Sequence, residues 1–218
     1  PHVLTIVALG GEGKTALVAK WAAKLAGQDW PGCDAAFAWS FYSQGAGEKV
    51  AADSDLFLKA ALTFLAEGDP NETEIKAFAA SNAGAFEKGQ RLARLVGQRR
   101  SLLILDGLEP LQYAPTAPTP GELKDQGLAA LLRTLAVGSD GLCIVTTRYS
   151  LPDLKAFWQT TAPEVELRHL SRDAGVHLLK RLGVKGSELR NLPLKDGDEK
   201  SEKVNEFEKL VEDVNGHA

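Results

Sequence analysis

Apolar residues in this chain fall into two rhythms that alternate along its length. Val3-Leu4-Thr5-Ile6-Val7 is an unbroken run of strand length, and Ala16 to Leu25 repeats at helical spacing. The Asp29-Trp30-Pro31-Gly32 turn leads into a second run, Ala35 to Phe41, which Ser43-Gln44-Gly45-Ala46-Gly47 breaks. Asp53-Ser54-Asp55 offers capping side chains for a helix with Leu56, Phe57, Ala60, Ala61, Phe64 and Leu65 at helical spacing. After a polar break at Gly68-Asp69-Pro70-Asn71, a further helix is expected from Phe86 to Gln98, with Leu92 and Leu95 on one face. Leu102-Leu103-Ile104-Leu105 is a third run, ending at Asp106. Pro110 to Gly121 holds four prolines and reads as a long loop. Leu128, Leu131, Leu132 and Leu135 mark a helix, Gly141 to Thr146 a fourth strand and Val165 to Leu167 a short fifth.

Buried strands alternating with helices imply a mainly parallel sheet with helices on both faces. The pattern changes near residue 170. Ser171 can cap a helix bearing Ala174, Leu178, Leu179 and Leu182. A charged segment from Lys195 to Lys203 precedes a last amphipathic helix with Val204, Phe207, Leu210, Val211 and Val214. The expected organisation is α/β, with residues 1–170 as a five-stranded domain and 171–218 as the start of a helical subdomain.

The first strand and first helix enclose Ala8-Leu9-Gly10-Gly11-Glu12-Gly13-Lys14-Thr15. Strand, glycine loop, Lys-Thr and helix form the layout of a phosphate-binding P-loop. Gly10, Gly11 and Gly13 let the backbone turn its N–H groups onto phosphate oxygens, and the helix dipole adds to that field. Residues Gly10, Gly11, Glu12, Gly13, Lys14, Thr15 and Ala16 are the expected nucleotide contacts. Lys14 suits the β- and γ-phosphates, and the Thr15 hydroxyl suits Mg²⁺. Ala8 stands where the full pattern has glycine.

A P-loop needs a carboxylate at the C-terminal end of another strand, where ligands of open α/β sheets bind. Asp106 fits as the Mg²⁺ carboxylate, and Glu109 as the group that orients or deprotonates the attacking water. Arg148, after Val145-Thr146-Thr147, is placed to read a γ-phosphate with its planar donors.

Composition narrows the class. A hydrophobic fraction of 44% and a charged fraction of 25% suit a globular protein. No apolar run approaches the ~20 residues of a membrane helix. The net charge of −4 gives no basic footprint for nucleic acid. Cys33 and Cys143 are isolated, which fits a reducing cytoplasm, and the four histidines lack metal-ligand spacing. The absence of methionine and a start inside a strand read as a piece of a longer protein.

Gly10-Gly11-Glu12-Gly13-Lys14-Thr15, Leu103 to Glu109, and Ile144-Val145-Thr146-Thr147-Arg148, in that order, resemble the NTPase core of STAND proteins, the NB-ARC and NACHT signalling ATPases. The Gly-Gly-x-Gly-Lys-Thr loop, Thr-Thr-Arg and Trp39-Ser40 resemble NB-ARC; a small residue after the aspartate and an acid two further on resemble NACHT. Pro110 departs from NACHT, where a second acid is usual. Gly216-His217-Ala218 occupies the place of the Gly-x-Pro motif, which makes His217 a candidate adenine contact. The resemblance implies ATP, ADP and Mg²⁺ as ligands and slow ATP hydrolysis as activity. It also implies a nucleotide-dependent oligomerisation switch in signalling or defence, with effector and sensor parts elsewhere in the full protein. A scaffold that keeps nucleotide without turning it over is the main alternative. A GTPase lacks its Asn-Lys-x-Asp segment here, and a small-molecule kinase lacks an arginine lid in Pro110–Gly121.

Overall fold

The structure is a computed structural model that describes residues 1–42, 54–168, 171–183, 190–191, 203–204 and 209–211. The chain divides into two compact units, one of residues 1–9 and 14–166, the other of 10–13 and 167–218.

The first unit is an α/β domain on one sheet of five parallel strands. These are β1 (Val3–Val7), β2 (Ala35–Ser40), β3 (Ser101–Asp106), β4 (Leu142–Thr147) and β5 (Glu164–Glu166), in the spatial order β2-β3-β4-β1-β5. β4 therefore lies between the P-loop strand and the strand that ends in Asp106. In register, Leu105 sits opposite Val145, and Val7 opposite Thr147. The helices are α1 (Lys14–Ala26), α2 (Ser54–Leu65), α3 (Glu72–Ala80), α4 (Ala85–Gly97) and α5 (Gln126–Val137).

Side chains alternate across the strands, so the two faces can be separated. Val3, Leu103, Leu105, Cys143 and Val145 join α2, α4 and α5 in one buried cluster with Leu58, Leu62, Leu92, Leu128 and Leu131. Ile104 and Ile144, each between two of them in sequence, are buried outside that cluster, as are Ile6 of β1 and Val18 of α1. That places α1 on the opposite face and gives three layers. Cys143 is a free, fully buried thiol, and burial pushes its pKa up.

Trp39 is partly buried and packs against the core: it stacks on Phe37 at 6.2 Å and tilts against Phe57 at 5.9 Å. In α2 the buried face is Phe57, Leu58, Ala61, Leu62 and Leu65; Leu56 and Phe64 are exposed, a small rotation from the expected stripe. α3 was not expected at all. It follows the polar break and buries only Ile75 and Ala79, too few apolar positions for a periodic signal.

In the second unit, Ser171 accepts a hydrogen bond from the Ala174 amide and caps α6 (Arg172–Arg181). Val211, in a helical turn, presses on Gly175, where a Cβ would come within 2.6 Å of it. Strands do not stop here, contrary to expectation. β6 (Arg190–Asn191) pairs antiparallel with β7 (Lys203–Val204), so Val204 is in a strand, not in a terminal helix. Phe207 and Val214 lie outside the described residues, as does His217. Among the described residues no helix is long and apolar enough to cross a membrane.

Candidate functional site

The chemistry-bearing residues collect at the C-terminal ends of β1, β3 and β4. β1 ends at Val7, and the Ala8 amide continues the ladder by donating to the Thr147 carbonyl at 3.2 Å. Ala8 is buried and is not among the positive-φ residues, so the missing glycine leaves no backbone strain. Gly11 and Gly13 do have positive φ, +86° and +82°, with open space where a Cβ would stand. Conformation, not crowding, calls for glycine at these two positions.

Lys14 opens α1 and is buried; its ammonium donates to the carbonyls of Ala8 at 2.6 Å and Leu9 at 2.9 Å. The next residue reaches across the sheet. Thr15 Oγ1 donates to Asp106 Oδ1 at 2.8 Å, although 91 residues separate them. Thr146, at the end of β4, donates to the same Oδ1 at 2.7 Å and accepts from the Gly107 amide at 2.9 Å. Two hydroxyls, one from the start of α1 and one from the end of β4, thus fix the Asp106 carboxylate. A hydroxyl and a carboxylate within hydrogen-bond reach are hard oxygen donors. They suit Mg²⁺, which takes one or two protein oxygens and completes its shell with phosphates and water. Among the described residues no cluster of three His, Cys, Asp or Glu offers a metal an all-protein cage.

Beside Asp106, Glu109 opens a short 3-10 turn, Glu109–Leu111, with Pro110 inside it. Its Oε2 accepts from the Tyr42 hydroxyl at 2.6 Å, and its Oε1 lies 3.7 Å from Arg148 Nε. The Arg148 guanidinium stands 5.9 Å over the Tyr42 ring. The Tyr42 ring also lies close to Gly107, whose φ is +72° and where a Cβ would come within 2.2 Å of the ring. Partial withdrawal from water, then the hydrogen bond and negative charge of Glu109, push the Tyr42 phenol up to about 12.

The structure thus brings Lys14, Thr15, Asp106, Glu109 and Arg148 to one edge of the first unit. Sequence reasoning missed Tyr42, which follows β2 and meets Glu109 only through the sheet order. It also passed over Thr146 as a hydroxyl that holds the Asp106 carboxylate and Gln112 as a buried side chain. The Thr-Thr pair before Arg148 was the available signal for the first of these. Strand, glycine loop and Lys-Thr lead into a helix, with a carboxylate two strands away bonded to the threonine. This is a P-loop NTPase fold.

No protein-family model matches the chain, and no curated protein matches it. Similar solved structures include the HORMA:CdnC:Trip13 complex of E. coli MS115-1, at 15% identity and TM-score 0.45, covering 84% of this chain and 54% of that one. The Drosophila ORC bound to DNA has 14% identity and TM-score 0.48, covering 83% and 41%. The Aeropyrum pernix ORC1 protein in complex with DNA has 14% identity and TM-score 0.46, covering 84% and 44%. This chain spans about half or less of the length of each.

Proposed function

We propose that this chain is the ATP- and ADP-binding core of a regulatory NTPase, a slow nucleotide-dependent switch of the STAND kind. The observation that carries the reading is the hydrogen bond from Thr15 to Asp106 at 2.8 Å, with Glu109 and Arg148 at the same edge. In this reading the Gly10–Ala16 segment and Lys14 hold the phosphates, and Thr15 and Asp106 hold Mg²⁺. The metal would neutralise phosphate charge. Glu109 orients or deprotonates the attacking water, and Arg148 contacts the γ-phosphate. His217 is retained as the proposed adenine contact on the strength of the resemblance alone.

A switch needs an interaction that one nucleotide offers and the other does not. Arg148 is half-exposed and paired with Glu109 at 3.7 Å, a loose distance for an ion pair. A γ-phosphate competes for that guanidinium, whereas ADP does not. Self-association, and effector and sensor parts beyond this chain, complete the proposal.

The non-catalytic scaffold keeps one supporting observation. Both Glu109 carboxylate oxygens are engaged, by Tyr42 and by Arg148, so the base is held by protein groups. Single-turnover hydrolysis separates the readings. Wild type is expected to cleave bound ATP slowly, and Glu109→Gln to bind ATP and cleave it at least about tenfold more slowly. Equal rates would give the catalytic role to another residue; no cleavage by wild type would favour the scaffold.

A further inference from the structure

We propose that Gln112 is a positioning residue that holds the Glu109 and Arg148 arms of the site in one register. The inference rests on the nucleotide reading above.

Gln112 is a polar side chain buried to 1% exposure, three residues after Glu109. Burying an amide is costly unless its donors and acceptor are all used. Here they are used on two chain segments, at Gly121 and over Thr147 to Ser150. Nε2 donates to the Gly121 carbonyl at 2.8 Å, and lies 3.2 Å and 3.4 Å from the Ser150 and Tyr149 carbonyls. Oε1 accepts from the Thr147 hydroxyl, itself fully buried. Thr147 and Tyr149 are the two neighbours of Arg148. One amide therefore grips the chain on both sides of the residue that carries the guanidinium.

The backbone of Gln112 holds the other arm. Its N–H donates to the Glu109 carbonyl at 3.1 Å and closes the 3-10 turn that presents the carboxylate. The base of the proline loop is pinned next to it. Tyr113 donates to the Glu122 carbonyl at 2.8 Å, and Lys124 to the Leu111 carbonyl at 2.8 Å. Gly121 lies so close to Ser150 that a Cβ would stand 2.5 Å from the Ser150 carbonyl oxygen. The loop after β3 and the loop after β4 are thus one braced unit, with Gln112 as its shared member. A rigid pair of arms meets a γ-phosphate without first paying the entropy of ordering them.

A double-mutant cycle tests this. Wild type, Gln112→Met, Arg148→Ala and the double variant are titrated with Mg·ADP and with a non-hydrolysable ATP analogue. Arg148→Ala is expected to cut the preference for the ATP analogue over ADP by about tenfold or more. Gln112→Met is expected to cut it by about threefold or more, with ADP affinity within about twofold of wild type. The double variant is expected to match Arg148→Ala, because Gln112 acts through Arg148. Additive losses in the double variant, or equal losses for both nucleotides in Gln112→Met, would overturn the inference and leave Gln112 a core residue. Should Gln112→Met fail to fold, Thr147→Val removes the partner hydroxyl and is expected to lower the preference in the same way, with Thr147→Ser restoring it. An unchanged preference in Thr147→Val would likewise overturn it. A nucleotide-independent readout is hydrogen exchange at the Tyr149 amide, expected to speed up in Gln112→Met; no change there ends the inference whatever the ligand. If wild type binds neither nucleotide while that amide does speed up, the brace stands and the nucleotide reading fails.

Discussion

Leu103, Leu105, Cys143 and Val145 face the helical layer, yet one step further along the same strands Asp106, Thr146 and Thr147 hold polar contacts. The helical layer is set by volume. Its contacts are many and individually small, and any side chain of matching size and apolarity would serve. The C-terminal strand ends are set by identity. Each contact there joins a particular donor to a particular acceptor, several of them sharing one atom, and an apolar side chain of equal size cannot replace it. The layer should therefore govern whether the chain folds, and the edge which ligand it prefers.

The largest expected effect lies in the layer. Leu131→Ala empties a fully buried position of α5 and should cost about 2–5 kcal/mol in denaturant unfolding. Nucleotide preference should stay as in wild type wherever the variant is folded; a changed preference would mean that layer and edge are coupled. At the edge, Arg148→Ala should weaken binding of an ATP analogue over ADP by about 1.5–3 kcal/mol in calorimetric titration. Its unfolding midpoint should hardly move, because the Arg148–Glu109 pair is exposed on one side. Parallel losses for both nucleotides would make Arg148 a surface residue.

A smaller effect sharpens the boundary between the two regions. Asp125 accepts from the Leu128 amide at 2.7 Å and caps α5. Asp125→Ala should cost about 0.5–2 kcal/mol of stability with no change in ligand preference. The titration of Tyr42 comes last, because its ring is about half exposed and solvent screens the contact. Its phenol is pushed up to about 12, against about 10 for an unfolded chain. The fold favours the protonated phenol, so this contribution is fully present below about pH 10 and is lost as pH rises through about 12. Ultraviolet difference titration of wild type against Tyr42→Phe should show the Tyr42 phenolate forming near pH 12; formation near pH 10 would dissolve the Tyr42–Glu109 contact.

What the sequence revealed follows the same division. Strands were legible because burial on both faces makes them continuous apolar runs, as in Leu102 to Leu105. The glycine loop was legible because positive φ at Gly11 and Gly13 demands a particular residue. Asp106 and Arg148 were legible as polar residues that end such runs. Tyr42 was not, since its contact with Glu109 spans 67 residues and depends on β2 lying beside β3. Gln112 was hidden among the prolines and threonines of a loop, where a buried amide has no local signature. α3 escaped because Glu72 to Ala80 carries too little apolar periodicity. Val204, Phe207, Leu210 and Val211 fit a helical stripe in sequence, while pairing with Arg190 puts Val204 in a strand.

The proposed function stands on Lys14 and the loop before it holding nucleotide phosphates. The direct measurement is thermal unfolding of wild type and Lys14→Ala with and without Mg·ATP at one hundred times the wild-type Kd. Wild type should gain about 2.7 kcal/mol, or roughly 5–10 °C in Tm for a domain of this size. Lys14→Ala should gain little, because the ammonium that balances the phosphate charge is gone. An equal gain in Lys14→Ala, or none in wild type at any Mg·ATP concentration, would rule out phosphate binding by Lys14 and its loop.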